Sequence, residues 1–299
     1  MCSSELVHAA PARSRRVETG LQGAHHWGPV RAEHHLAHLR AQGNLDFPDI
    51  TPETFPLPTL GPVLRGLAPG LRDGLGFLLL RGLPVGRLPP DDLARIYMGL
   101  GAHIDRVVPQ SWHGELLGNV MDVSDVDRAA RGYQSGGAQR FHTGTCDIVS
   151  LFCVRAARSG GTSRIASAAA VHNRLLETRP DLLETLYGDY VYRRMENDAA
   201  LGNKRLLKTV AIFSRATGHL TCNTSGSYPN RAVAAGDAVM TPRQIEALDA
   251  LETLAASPEF HLDMEIAPGD IQFLNNRVLL HGRTDYEDWP RSEEHTSEL

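Results

Sequence analysis

Three short segments near the end of the chain restrict the fold most strongly. His261 to Ile266, Asp270 to Leu274 and Val278 to Arg283 have the composition of strands, and the turn signals Pro268-Gly269 and Asn275-Asn276 separate them. A doubly wound parallel sheet requires regular alternation of strand and helix, and that alternation is missing here. Closely spaced strands of this kind favour antiparallel sheets.

The rest of the chain adds helices between further strands. Strands are predicted for Gly76 to Gly82, for two parts of the run Arg140 to Arg155, and for Val191 to Met195, Thr209 to Ser214 and His219 to Thr224. Helices are predicted for Asp91 to Leu100, for Ala168 to Leu186 with a break at Arg179-Pro180, and from Thr241-Pro242 to about Ala256. This order predicts an α+β protein with a double-sheet jelly-roll core flanked by helices.

Length and composition indicate one globular core with ordinary surface chemistry. The 299 residues carry a net charge of −5, so we expect no nucleic-acid partner. No apolar run approaches membrane-spanning length, and the four cysteines form no CxxC pair, so a cytoplasmic location without a membrane partner is expected. The sequence does not specify an oligomeric state.

We divide the chain into an N-terminal arm, 1–60, with a helix over Val30 to Gln42, and a single domain, 61–290. The remaining residues, 291–299, lack apolar periodicity and are similar to the translation of a common sequencing adapter. We therefore expect a non-native tail there, and a domain that is incomplete at its C-terminal end.

The segment that carries chemistry is Phe141-His142-Thr143-Gly144-Thr145-Cys146-Asp147, together with the distant His281. Non-haem Fe(II) oxygenases hold their metal with two histidines and one carboxylate, spaced His-x-Asp/Glu and then His. Residues i and i+2 of a strand share a face, so both groups can reach one ion. Here Gly144 stands at the i+2 position, and Asp147, at an odd offset from His142, is predicted to point to the opposite face.

Several stretches resemble the taurine dioxygenase-like (TauD/TfdA) family in order along the chain. They are His142 through Cys153, Ser159-Gly160-Gly161-Thr162-Ser163, Ala166-Ser167, Gly269 to Asn276, and His281-Gly282-Arg283. The resemblance implies an Fe(II)/2-oxoglutarate-dependent dioxygenase that acts with O2 on an unactivated C–H bond of a small molecule and releases succinate and CO2. It assigns His142 and His281 as iron ligands and Ser163 as a contact of 2-oxoglutarate.

Two departures from the family pattern leave alternatives open. Gly144 provides no oxygen ligand, a feature that the resemblance associates with halogenases, in which chloride takes the vacated position. A base change from an Asp codon, a decayed enzyme and a non-catalytic jelly-roll binding protein are the other interpretations. The arginine that anchors 2-oxoglutarate in relatives would fall in the suspected tail, and Arg283 is too close to His281 to replace it by analogy.

Overall fold

A computed structural model describes residues 45–110, 114–125, 132–194, 207–215, 218–225 and 227–289. The predicted helix Val30 to Gln42, most of the N-terminal arm and the tail 291–299 lie outside the described residues, as does the last residue of the predicted strand Val191 to Met195.

Six α-helices are formed by the described residues. They are α1 (Leu60–Asp73), α2 (Pro90–Ala102), α3 (Ala168–Thr178), α4 (Pro180–Leu186), α5 (Tyr228–Ala234) and α6 (Pro242–Ala256). The predicted helices correspond to α2, α3, α4 and α6. Helix α6 begins where Thr241 and Gln244 form a reciprocal capping box.

Thirteen strands accompany the helices in the described part of the chain. They are β1 (Phe77–Leu80), β2 (Gln139–His142), β3 (Ile148–Phe152), β4 (Ser159–Gly160), β5 (Ser163–Ser167), β6 (Asp189–Arg193), β7 (Leu207–Ala211), β8 (Phe213–Ser214), β9 (Thr221–Cys222), β10 (His261–Met264), β11 (Ile271–Asn275), β12 (Leu279–Arg283) and β13 (Tyr286–Glu287).

Two antiparallel sheets form the centre of the domain. The first sheet has the order β1-β11-β3 and the second has the order β10-β5-β12-β2, while β13-β4, β6-β7 and β8-β9 form separate pairs. Leu274 of the first sheet shares a buried cluster with Ile165, Met264 and Leu279 of the second sheet, so the two sheets face each other. The three closely spaced strands of the sequence prediction are therefore divided between the sheets, with β11 in one and β10 and β12 in the other.

Helices cover the outer face of each sheet. Helices α1 and α2 pack on the first sheet through a cluster that includes Phe273, and this cluster also buries Ile50, Phe55 and Leu57 from the segment before α1. Helices α3, α4 and α6 pack on the second sheet through a cluster that includes Leu280. This arrangement of helices around antiparallel sheets is the predicted α+β architecture.

Strand β12 directs its side chains alternately to these two environments. Leu280 packs against the helices, whereas Leu279 lies between the sheets. Because residues two apart on a strand share a face, His281 and Arg283 also face the space between the sheets. Ser163 of β5 lies opposite Arg283 in the strand pair and faces the same space.

One detail of the strand prediction is wrong. We predicted a strand that continues from Phe141 to Asp147, but β2 ends at His142 and residues 143–147 form a loop before β3. Gly144 therefore lies just beyond the strand, and strand alternation does not determine which way residues 144 and 147 point.

Candidate metal centre

His142 and His281 lie opposite each other on the adjacent strands β2 and β12. Their ring centroids are 4.3 Å apart, with an angle of 46° between the ring planes. An imidazole nitrogen binds a metal ion at about 2 Å, so two rings that bind one ion at right angles have centroids roughly 4.5 Å apart. The spacing of the two rings therefore fits shared coordination of one ion.

The protonation of both rings also suits a metal. His142 Nδ1 lies 2.9 Å from the carbonyl oxygen of Arg140, which can only accept, so Nδ1 carries the proton and Nε2 keeps its lone pair. Burial lowers the pKa of His142, and burial together with the neighbouring His142 lowers the pKa of His281 to about 3. Both imidazoles are thus neutral near pH 7, which is the form that binds metals.

A buried ring nitrogen of His281 also indicates a metal site. Its Nδ1 is buried and has no hydrogen-bond partner among the described residues. Buried polar atoms are nearly always paired, and an exception calls for a specific explanation such as a bound ion. The two histidines therefore fit a metal ion as a pair of nitrogen ligands.

Within the part of the chain that the structure describes, no carboxylate joins this pair. Among the described residues, no group of three His, Cys, Asp or Glu side chains is placed to hold a metal ion. Asp147 cannot serve, because Arg277 Nε donates to its carboxylate at 2.8 Å and its side chain is 77% exposed. The predicted absence of an oxygen ligand at Gly144 thus extends to the surrounding loop.

Gly144 packs instead against Asn276, a residue that the sequence analysis did not select. The backbone N–H of Gly144 donates to Asn276 Oδ1 at 3.0 Å. A Cβ atom added at Gly144 would lie 2.7 Å from Asn276 Nδ2, a distance that real Cβ atoms do not tolerate. No local signal in the sequence links these two positions.

Ser163 lies in a polar part of the space between the sheets. Its buried hydroxyl donates to Gln272 Oε1 at 3.2 Å, and Gln272 Nε2 lies 2.9 Å from the sulfur of Met264. A thioether is a weak acceptor, so the fully buried Gln272 has a poorly satisfied donor. Gln272 was not selected from the sequence, although a Gln within the otherwise apolar β11 was an available signal.

Arg283 faces the same space, and its Nη2 is engaged by backbone carbonyls of the loop before β2. Its Nη2 donates to the carbonyl oxygens of Ser135 and Gly137 at 2.8 and 3.0 Å. The guanidinium carbon lies 4.2 Å from the ring centroid of Tyr286, and burial lowers the pKa of the group. These contacts tie the loop before β2 to β12. That Arg283 does not serve as the 2-oxoglutarate anchor stays a prediction.

The two helix-flanked antiparallel sheets, with a histidine pair between them, are of the jelly-roll class, and comparison with known families identifies the family. Residues 42–296 match the family described as taurine catabolism dioxygenase TauD, TfdA family. The chain belongs to this family. Membership confirms the family that the resemblance predicted.

Curated relatives include a taurine hydroxylase-like protein, SAT17, of Stachybotrys chartarum, which is 34% identical over 256 residues. That match covers 79% of this chain and 63% of SAT17, so the chain spans less than two thirds of that relative. FR-33289 synthase of Streptomyces rubellomurinus is 29% identical over 248 residues, which cover 80% of this chain and 71% of the synthase.

Solved structures confirm the fold. An asparagine oxygenase in complex with Fe(II), 3-hydroxyasparagine and succinate matches with a TM-score of 0.60 at 19% identity, covering 81% of this chain and 77% of its own. The non-haem iron oxygenase OrfP, in complex with Fe and alpha-ketoglutaric acid, matches with a TM-score of 0.59 at 13% identity over 88% of both chains. Within the part of the chain that the structure describes, no helix has the length and apolar character needed to cross a lipid bilayer.

Proposed function

We propose that this chain is an Fe(II)/2-oxoglutarate-dependent oxygenase that hydroxylates an unactivated C–H bond of a small molecule and releases succinate and CO2. The observation that carries the proposal is the His142–His281 pair, two neutral rings with centroids 4.3 Å apart on neighbouring strands of a TauD-family domain.

The chain's own residues bind and orient the reacting groups. His142 and His281 hold Fe(II), which supplies the activation of oxygen at the expense of 2-oxoglutarate when it is bound. Ser163 lies two residues along the strand pair from the level of His281. Its hydroxyl, which donates to Gln272 Oε1 in this structure, turns to donate to the cosubstrate when that is bound. The apolar cluster around Ile165 and Leu279 borders the site on the other side and excludes water.

The relatives suggest where a substrate search should begin. The solved structures hold hydroxylated asparagine and hydroxylated arginine, and a uridine-5'-phosphate dioxygenase of Amycolatopsis sp. is 29% identical over 152 residues, covering 48% of this chain and 51% of that enzyme. Free amino acids and nucleotides are therefore the first small molecules to test, with 2-oxoglutarate turnover as the readout.

A second candidate function follows from Gly144. A metal held by two neutral histidines keeps an additional position for an external ligand, and chloride at that position would make the chain a halogenase. The absence of a third His, Cys, Asp or Glu ligand among the described residues supports the halogenase as this second candidate.

The test is an anaerobic titration with Fe(II) and 2-oxoglutarate, followed by the visible metal-to-ligand charge-transfer band, with and without chloride. A band that is lost in His142→Ala supports the oxygenase, and a band that also shifts with chloride supports the halogenase. Arg164→Ala is the matched control, because this side chain pairs with Asp263 outside the site and should leave the band unchanged. Binding of small molecules without iron or a band would support a non-catalytic binding protein instead.

A further inference from the structure

A buried hydrogen bond joins the two sheets between Ser163 and Gln272. The hydroxyl of Ser163 on β5 donates to Oε1 of Gln272 on β11 at 3.2 Å, and β5 and β11 belong to different sheets. Gln272 is fully buried and Ser163 is 6% exposed. Because the hydroxyl has a single proton, Gln272 determines where that proton points while no cosubstrate is bound.

The nitrogen of the same carboxamide is poorly bonded. Nε2 of Gln272 lies 2.9 Å from the sulfur of Met264, and a thioether is a weak acceptor. Met264 is itself buried and pairs with Ser163 across β10 and β5, so all three side chains belong to one polar contact inside the core. The carboxamide is therefore held firmly only through Oε1.

Binding of the cosubstrate changes what Ser163 can offer to Gln272. Once the hydroxyl proton points to 2-oxoglutarate, Oε1 of Gln272 loses its donor, and a buried acceptor without a partner is costly. Half a turn of the carboxamide about its last bond removes this cost. Nε2 then occupies the place of Oε1 and donates to Ser163 Oγ, whose lone pairs accept while its proton points the other way. The two orientations of a carboxamide have nearly the same shape, so the packing of the core is kept.

We propose that Gln272 is a positioning residue for the cosubstrate, whose carboxamide accepts from Ser163 in the free protein and turns to donate to Ser163 when 2-oxoglutarate binds. This inference rests on the proposed function, since it assumes that Ser163 donates to 2-oxoglutarate beside a metal held by His142 and His281. It implies that Ser163 and Gln272 stay hydrogen-bonded in both states, so that Gln272 does not compete with the cosubstrate for the proton.

The experiment uses the full chain loaded with Zn(II), a redox-inactive ion that binds imidazole, so no measurement depends on turnover. The forms are the parent, Ser163→Ala, Gln272→Met, the double variant of these two, and Phe273→Leu. Phe273 is the neighbour of Gln272 on β11 but packs against α1 and α2 on the other face, so its variant controls for lost stability alone. Calorimetry gives the dissociation constant of 2-oxoglutarate, and NMR gives the position of the Gln272 side-chain amide signals, identified by their loss in Gln272→Met.

We expect 2-oxoglutarate to move the Gln272 amide signals in the parent, because the partner of Nε2 changes from sulfur to oxygen, and to leave them in place in Ser163→Ala. Gln272→Met should bind 2-oxoglutarate within about threefold of the parent, since the Ser163–Gln272 bond exists before and after binding and so cancels. Adding Ser163→Ala should weaken binding about tenfold with either residue at position 272. Phe273→Leu should match the parent in affinity.

The outcomes separate this inference from the function on which it rests. If Ser163→Ala weakens binding but the Gln272 signals stay in place in the parent, the turn is refuted while the cosubstrate site stands. Binding about tenfold tighter in Gln272→Met would show a fixed carboxamide that competes for the proton, and binding about tenfold weaker with or without Ser163 would show a packing role only; both refute the proposal. If the parent does not bind 2-oxoglutarate, or Ser163→Ala binds it equally well, the proposed cosubstrate contact fails and the role of Gln272 fails with it. Should Gln272→Met not fold, Gln272→Glu identifies the same signals, and the comparison of the parent with Ser163→Ala decides.

Discussion

Burial of His281 should make the metal-free protein lose stability in mild acid. The pKa of this ring falls from its ordinary value of 6.5 to about 3 on folding, because the ring is buried and lies beside His142. At pH 5 the unfolded chain therefore binds a proton at His281, whereas the folded chain does not. The stabilising contribution is fully present above pH 6.5 and is lost as the pH falls toward 3.

Linkage gives the size of the effect. Between pH 7 and pH 5 a histidine with these two pKa values costs about 2 kcal/mol of the free energy of unfolding, an order-of-magnitude figure for a ring so close to another histidine. This is a large part of the stability of an ordinary domain, which is roughly 5 to 15 kcal/mol.

The assay is urea denaturation at pH 7, 6 and 5 with a chelator present, on the parent and on His281→Asn. The variant should lose about 2 kcal/mol less than the parent over this range. The same pH series on His172→Asn compares His281 with a second histidine. Burial also lowers the pKa of His172, which lies away from the candidate centre. Parallel pH profiles for the parent and His281→Asn would show that His281 is not held neutral by the fold.

Three further predictions concern single side chains. His142→Ala should abolish measurable Fe(II) binding in anaerobic calorimetry, because one nitrogen ligand remains; unchanged affinity would refute the assignment. Ser163→Ala should raise the dissociation constant of 2-oxoglutarate about tenfold through the loss of one hydrogen bond to a carboxylate, and it should also lower the thermal transition, because buried Gln272 loses its partner. Gly269→Ala should cost at least about 2 kcal/mol in urea denaturation, because φ is +92° and the added Cβ would lie 2.3 Å from the carbonyl oxygen of Leu83. Gly86→Ala, with open space around it, should cost far less.

Local patterns in the sequence were sufficient for most of the elements. The proline and the capping residue at Thr241-Pro242 start α6 where expected, and Pro180 separates α3 from α4. Helix α1 escaped prediction because Pro69 lies inside it, and because internal glycines weaken its helical propensity. Its apolar residues Leu64 and Leu71 nevertheless pack on the first sheet, so tertiary burial outweighs local preference.

The candidate site, too, could be predicted from the sequence only in part. The histidines were selected as candidate ligands because their residue type and their place in a family pattern are visible along the chain. The end of β2 at His142 was not predicted, since the loop is fixed by Asn276, whose side chain bonds to Gly144 across 132 positions of sequence. Contacts between segments so distant leave no periodic trace in a single sequence, and they require the paired sheets to be assembled first.

The charge at the candidate metal centre bears on the choice between hydroxylation and halogenation. An Fe(II) ion held by two neutral imidazoles keeps both its positive charges, whereas a protein carboxylate would cancel one of them. The nearest acid on the loop, Asp147, is paired with Arg277 and turned toward solvent, so it neither compensates the ion nor repels an incoming anion. A small anion should therefore bind this centre more readily than it binds a centre with a full set of three ligands. Gly144→Asp, which adds a carboxylate to the loop, should lose that preference. Chloride dependence of the charge-transfer band in the parent and in this variant is therefore the decisive comparison.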